Sequence, residues 1–239
     1  MVLQQLSGCP VYQFKPRISF GNDLLLPAGM YNIRVPSGFS ASVPAPNFVD
    51  PTTMMSLLQS ADRDHGRGLG VTHGLTVTEF AVTFPNLTQQ WRQVRTGAAF
   101  PFWQFQGGDV FFDTRITVYV LEGDRPQAND ELSTQLFAII MEHELLHVLD
   151  EIDIVSRWMA PEAYRDDKVL RYLSNAEPVD NAMFQSWFRG NGFSNWLKTG
   201  LWAPEHNRRG SIRDSAHQYN ALQRQIDDIR IQMTNRPSP

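Results

Sequence analysis

The alternation of apolar and polar residues predicts strands in the first half of the chain. In the segment VFFDTRITVYVL, Ile116, Val118 and Val120 occupy every second position, which is the period of a strand at a sheet surface. Two short helices are expected in the same half, at 53–61 and 87–95. Three further segments are rich in β-branched and aromatic residues and predict strands: VYQF at 11–14, MYNIRV at 30–35 and LTVTEFAVTF at 75–84.

The second half carries apolar residues at the spacing of a helix. The segment ELSTQLFAIIMEHELLHVLDEIDIVSRWM, residues 131–159, contains neither Gly nor Pro and therefore predicts one long helix. Pro178 is expected to begin a later helix that Gly190 ends. Ser211, followed three residues later by Asp214, is interpreted as a weak capping box at the start of the last helix.

Length and composition are those of a folded globular protein. The chain has 239 residues, of which 42% are hydrophobic and 19% charged, a balance that excludes a disordered chain. No repeat or linker divides it. We therefore predict an α+β fold in a single domain over residues 1–239, with a β-rich N-terminal half and a helical C-terminal half.

Charge and hydropathy exclude several classes of partner. The net charge is −4 and Lys and Arg form no long basic run, so nucleic acid is not an expected partner. No run of about 18 apolar residues occurs, so no membrane insertion is expected, and no signal peptide is recognisable. The single cysteine, Cys9, cannot form an internal disulfide. We expect a soluble protein, either cytoplasmic or secreted.

Two histidines and a glutamate in the long predicted helix supply the candidate chemistry. His143, Glu144 and His147 form the motif HELLH. Residues four apart share one face of a helix, so both histidines can reach one zinc ion. Glu144 is rotated by about 100° from His143, which lets it act as general base on a zinc-bound water. The alternative is a hydrogen-bonded histidine pair without a metal.

The HELLH motif and the strand before its helix resemble the zincin metallopeptidases, whose active-site helix carries H-E-x-x-H beneath a substrate-binding sheet edge. The resemblance implies a zincin-like fold, Zn²⁺ as cofactor, His143 and His147 as ligands, Glu144 as general base and a protein or peptide as substrate. The order of strand, motif helix, helical insertion and a late Ser-x-His, in DSAH at 214–217, is loosely similar to the predicted secreted zinc-dependent proteases of bacteria.

A catalytic zinc takes three protein ligands, and several residues compete to be the third. We predict His217, because imidazole is a common ligand and Asp214, one turn earlier, can hold its second nitrogen. Glu177 is the main alternative, since it resembles the glutamate that completes the gluzincin site. Asp153 has the metzincin spacing from His147 but follows no Gly that would break the helix. The remaining candidates are Asp150, Glu151 and His206.

Amide hydrolysis also needs a group that stabilises the tetrahedral oxyanion. Four residues have suitable chemistry, and the sequence does not choose among them: Tyr219, Tyr172, Arg213 and His206. The leading hypothesis is a zinc-dependent endopeptidase. The alternatives are a zinc-binding structural, secretion-apparatus or virion protein without turnover, and a secreted toxin protease with one specific target.

Two other segments are interpreted as structural. DRDHGRGLGVTHG, residues 62–74, fits no phosphate-binding loop and is predicted to be a flexible surface loop. Five aromatic residues are predicted to form a packed core instead of a substrate cleft: Trp187, Phe188, Phe193, Trp196 and Trp202.

Overall fold

The computed structural model describes residues 12–20, 46–61, 72–94 and 101–235. The chain divides into two compact units, each built from three segments that are distant in sequence. Unit 1 combines Met1–Ile18, Phe80–Thr114 and Ile152–Glu205, and unit 2 combines Ser19–Glu79, Arg115–Glu151 and His206–Pro239. The single domain expected over 1–239 stays a prediction.

The strands of the described residues form two sheets. The first has the order β1-β6-β2, with β3 also paired to β6, and the second has the order β4-β5-β7. Their bounds are β1 Tyr12–Phe20, β2 Asn47–Val49, β3 Gly74–Thr83, β4 Trp91–Val94, β5 Phe102–Phe105, β6 Gly108–Leu121 and β7 Val179–Asp180. β2 runs parallel to β6, with Asn47 opposite Tyr119.

The strand predictions are confirmed where the structure describes them. β1 includes most of the VYQF segment, β3 covers nearly all of LTVTEFAVTF, and β6 covers VFFDTRITVYVL. In β6, Ile116, Val118 and Val120 are fully buried, as the two-residue period requires. The MYNIRV segment at 30–35 lies outside the described residues.

Helices make up most of the chain after β6. The long helix predicted over 131–159 is confirmed: α3 continues through a π-type turn at Ile154–Trp158 into α4. No helix in the described residues is long and apolar enough to span a bilayer. The helix bounds are α1 Pro51–Ala61, α2 Leu87–Gln90, α3 Glu131–Asp153, α4 Met159–Ala163, α5 Asp167–Val169, α6 Asn181–Met183, α7 Gly192–Leu197, α8 Ala203–Arg213 and α9 Ala216–Thr234.

The presence of both helices and strands agrees with the predicted α+β class, but two local predictions are wrong. The helix expected over 87–95 ends at Gln90, and Trp91–Val94 forms β4, which pairs antiparallel with β5. The reason is tertiary: Trp91 is buried, with its ring centroid 5.4 Å from that of Phe105, and such packing overrides local helix propensity.

Ser211 does not begin the last helix. It lies inside α8 and its hydroxyl donates to the Asn207 carbonyl at 2.8 Å, the backward hydrogen bond that Ser forms within helices. Helix α8 ends at Arg213, and Asp214 and Ser215 connect it to α9. The helix start therefore lies four residues later than the sequence indicates.

Unit 1 has an aromatic core. Trp91 and Phe188 are both buried, with ring centroids 4.1 Å apart. The interpretation of the C-terminal aromatic residues as packed core is confirmed, since all five belong to the same cluster or pack against it: Trp187, Phe188, Phe193, Trp196 and Trp202.

Unit 2 contains a buried ionic network. Asp124 Oδ2 lies 2.8 Å from His73 Nδ1, and Asp124 Oδ1 accepts a hydrogen bond of 2.7 Å from Arg230 Nη2. His73 is buried, so its placement in a flexible surface loop is wrong; residues 62–71 of that loop lie outside the described residues. The network ties the start of β3 and the turn after β6 to α9.

The network should make stability depend on pH. Burial raises the pKa of Asp124, but hydrogen bonds from His73 and Arg230 and the electrostatic interactions with these residues lower it by more, so the net pKa is below its ordinary value. Because the folded pKa is depressed, the contribution to stability is full above about pH 4, the unfolded value, and disappears as the pH falls through the folded pKa.

Arg230→Met is expected to lower the free energy of unfolding by about 1 kcal/mol at pH 7, since the Arg230 side chain is partly exposed. The difference from the wild type should shrink as the pH falls toward 3. Urea unfolding at several pH values measures both effects. Arg224→Met, an exposed position on the same helix, is the control, and an undiminished difference at low pH would contradict the assignment.

Candidate metal centre

The two histidines of the motif lie side by side on α3, and the break between α8 and α9 brings a carboxylate to them. The ring centroids of His143 and His147 are 4.9 Å apart, as expected for residues one turn apart on a helix. Asp214, which lies between the two C-terminal helices, reaches both rings. All three residues belong to unit 2.

The three ligand atoms are almost equidistant. Asp214 Oδ1 lies 3.2 Å from His143 Nε2 and 3.1 Å from His147 Nε2, and the two nitrogens are 3.3 Å apart. A tetrahedral zinc with bonds of about 2.0–2.1 Å places neighbouring ligand atoms about 3.3 Å apart. The separations of the three atoms therefore fit a zinc ion, which His143, His147 and Asp214 would hold.

Hydrogen bonds alone explain this arrangement less well. If both imidazoles donate from Nε2 to Asp214 Oδ1, the contact of 3.3 Å between the two nitrogens has no acceptor. A cation satisfies the lone pairs of all three atoms at once. The side chains of His143, His147 and Asp214 are 14%, 19% and 25% exposed, so the cluster is accessible to an ion.

The surroundings of the cluster are acidic. Burial lowers the pKa of His147, but the hydrogen bond to Asp214 and the charges of Glu144, Asp214 and Asp150 raise it by more, so the net pKa is above its ordinary value. The same carboxylates favour any positive charge at this position, whether a proton or a metal ion.

Glu144 is packed against β3 and is 4% exposed. Thr76 Oγ1 donates a hydrogen bond of 2.7 Å to Glu144 Oε2. A Cβ atom at Gly74 would lie 2.7 Å from Glu144 Oε1, so the absence of a side chain at Gly74 makes room for the carboxylate. Glu144 is not a member of the three-residue cluster, in keeping with its position one residue after His143.

Two carboxylates of α3, which follow the motif, form hydrogen bonds with side chains of α8. Asp150 accepts hydrogen bonds of 2.7 and 3.1 Å from Arg213, and Glu151 forms a short hydrogen bond with His206. Arg213 directly precedes Asp214, so its pairing with Asp150 fixes the chain beside the Asp214 carboxylate. Asp150 and Glu151 thus pair with Arg213 and His206 of α8. Neither carboxylate belongs to the cluster, and His206 does not belong to it either.

The predicted third ligands take other positions. His217 is exposed on α9 and is not part of the cluster. Glu177 forms an ion pair of 2.5 Å with Arg171, and Asp153 forms one of 3.4 Å with Arg157. Among the described residues, Asp214 occupies the third position instead.

The four oxyanion candidates have different surroundings in the structure. Tyr172 packs edge-on against Trp187, and Arg213 and His206 are paired with carboxylates of α3. Burial raises the pKa of Tyr219, a hydrogen bond from Thr72 lowers it, and the charges of Asp214 and Glu144 raise it, with a net increase. Tyr219 is therefore the candidate whose pKa is affected by the charges of Asp214 and Glu144.

The sequence did not indicate Asp214 as a member of the cluster and gave it only the role of a hydrogen-bond partner of His217. A signal for it exists: Ser215 is also a preferred N-cap residue, and a helix start there places Asp214 in the connection before α9. No protein family, no curated protein and no solved structure matches the chain. The interpretation of the cluster therefore depends on its own geometry and chemistry.

Proposed function

We propose that the protein is a zinc-dependent endopeptidase in which His143, His147 and Asp214 hold the metal and Glu144 is the general base. The observation that carries this proposal is the convergence of the three ligand atoms at 3.1–3.3 Å beside the motif glutamate. Two imidazoles and one carboxylate are a ligand set of catalytic zinc sites. Mg²⁺ and Ca²⁺ prefer oxygen ligands alone.

The number of ligands supports catalysis over a structural role. Structural zinc sites are closed by four protein ligands, whereas catalytic sites keep one position open. The described residues supply three ligand atoms in one cluster. This favours turnover over the alternative of a zinc-binding structural protein.

His143, His147 and Asp214 would hold the zinc ion, which would acidify water and polarise a substrate carbonyl when bound. Glu144 takes a proton from the water that attacks the carbonyl carbon of the peptide bond. Glu144 then delivers that proton to the leaving nitrogen as the C–N bond breaks, so that the amine leaves as a neutral group. Tyr219 is proposed to donate a hydrogen bond to the oxyanion, since a phenol is protonated at neutral pH and this one lies near both Asp214 and Glu144.

The proposed substrate is a protein or peptide, as the resemblance to zincins implies. The choice between a general endopeptidase and a toxin protease with one target concerns the breadth of cleavage. Specificity in such enzymes comes from loops around the site, and a library of random peptides distinguishes broad from narrow cleavage.

The test of the proposed function is metal removal. The purified protein should contain about one zinc per chain by elemental analysis, and a chelator should abolish cleavage of an unspecific protein substrate while added Zn²⁺ restores it. Replacement of both His143 and His147 by Ala should remove the metal. Full zinc retention in that double variant would overturn the site, and bound zinc without cleavage of any peptide in the library would favour the structural alternative.

A further inference from the structure

We propose that Thr76 is the positioning residue for Glu144 and that Gly74 provides the space in which it does so. This inference rests on the proposed function and assigns a second element, β3, to the catalytic machinery. The carbon chain of a glutamate on a helix has several rotatable bonds, so a general base one position from a metal ligand needs an external contact that fixes its carboxylate. The side of β3 that carries residues 74 and 76 supplies that contact.

The hydroxyl of Thr76 selects one carboxylate oxygen. Thr76 Oγ1 lies 2.7 Å from Glu144 Oε2 and 3.3 Å from the Glu144 backbone carbonyl. A hydroxyl donates only one hydrogen, and the shorter contact to a charged acceptor is the stronger one. Among the described residues, Thr76 is the hydrogen-bond donor to this carboxylate, through Oε2, and Oε1 accepts no hydrogen bond.

Gly74 acts by its size. It is not among the glycines with a left-handed backbone, which are Gly107 and Gly108 in the described residues, so its conformation does not require glycine. A Cβ at Gly74 would lie 2.7–2.9 Å from three side-chain atoms of Glu144, closer than atoms can approach without displacement. Glycine at this position therefore allows the carboxylate to lie against the strand.

The two contacts come from the same face of one strand. Residues 74 and 76 are two apart, so their side-chain positions point to the same side of β3. One position is empty and the next carries a donor, and together they determine where the carboxylate of Glu144 lies. The hydrogen bond fixes Oε2, and the absence of a side chain at Gly74 lets Oε1 pack against the strand, so both oxygens are held against β3.

The test compares Thr76→Val, which has the same shape but no hydroxyl, with Thr76→Ser, which keeps the hydroxyl. Thr76→Val is expected to lower kcat about tenfold or more, the scale for residues that orient a catalytic group, with KM and zinc content unchanged. Thr76→Ser should restore most of kcat. Thr78→Val is the matched control, because the Thr78 hydroxyl is buried on the same strand face without a hydrogen-bond partner in the described part of the chain.

A second measurement does not depend on turnover. In the metal-free protein, the melting temperatures of Thr76→Val, Glu144→Leu and the double variant form a thermodynamic cycle, because leucine cannot accept the hydrogen bond from Thr76. Shifts in melting temperature that do not add support the contact, whereas additive shifts overturn it whether or not the protein is an enzyme. Full kcat in Thr76→Val would also overturn the inference, while a wild type with no zinc-dependent cleavage overturns only the proposed function and leaves the cycle to decide the role of Thr76.

Discussion

Glu144→Gln is expected to keep zinc and fold while turnover falls by a hundredfold or more, the scale for loss of a general base. The glutamine carbonyl can still accept the hydrogen bond from Thr76, so the buried side chain keeps its partner and the packing against Gly74 is preserved. What disappears is the ability to take a proton from water. The measurements are kcat for a peptide substrate and zinc content by elemental analysis.

The control is Glu142→Gln, which removes the same charge from an exposed position of α3. It should leave turnover within about twofold of the wild type, because surface substitutions change little. Two results would contradict the proposed mechanism. Loss of zinc from Glu144→Gln would make the carboxylate a ligand, and undiminished turnover would mean that another residue takes the proton.

The features that the sequence predicts well are those determined by local periodicity. The strand of VFFDTRITVYVL follows from its alternating pattern, and the long helix of 131–159 follows from apolar residues at helical spacing over many turns. The same helix places His143 and His147 on one face, so the pair at the centre of the candidate site could be found without a structure. Their role as zinc ligands stays a prediction.

The features that the sequence predicts poorly depend on contacts between distant segments. Trp91 leaves the helical segment 87–95 because it pairs with Phe105 across a sheet, and no pattern near Trp91 reveals that partner. His73 is buried because Asp124 and Arg230 surround it, although the neighbouring glycines indicate a loop. In each case packing at long range outweighs local preference.

The third member of the cluster combines both situations. The sequence correctly indicates that the chain returns to the motif helix within the segment DSAH, but it favours His217 where the structure brings Asp214. The two residues are three positions apart, and which of them faces the histidines depends on where α8 ends. Ser211 lies inside α8, where its hydroxyl donates to the Asn207 carbonyl, whereas capping rules place Ser211 at a helix start.

Asp214→Ala is therefore expected to weaken zinc binding by more than a hundredfold, and His217→Ala and Glu177→Ala are expected to bind zinc as the wild type does. Loss of residues that only orient a ligand costs about 10–100-fold in affinity, so loss of a ligand itself should exceed that range. Asp214 Oδ1 is 3.1–3.2 Å from both imidazole nitrogens, whereas Glu177 is paired with Arg171. Competition with a chromophoric chelator measures the three affinities.

Thermal unfolding with and without zinc separates loss of a ligand from loss of the fold. Zinc binds the folded state and should raise the melting temperature of His217→Ala and Glu177→Ala as much as that of the wild type, but not that of Asp214→Ala. Without zinc, His217→Ala should change stability by no more than about 0.5 kcal/mol, as expected for an exposed residue. If His217→Ala loses the zinc-induced shift and Asp214→Ala keeps it, the ligand is His217 and Asp214 returns to the role of its hydrogen-bond partner.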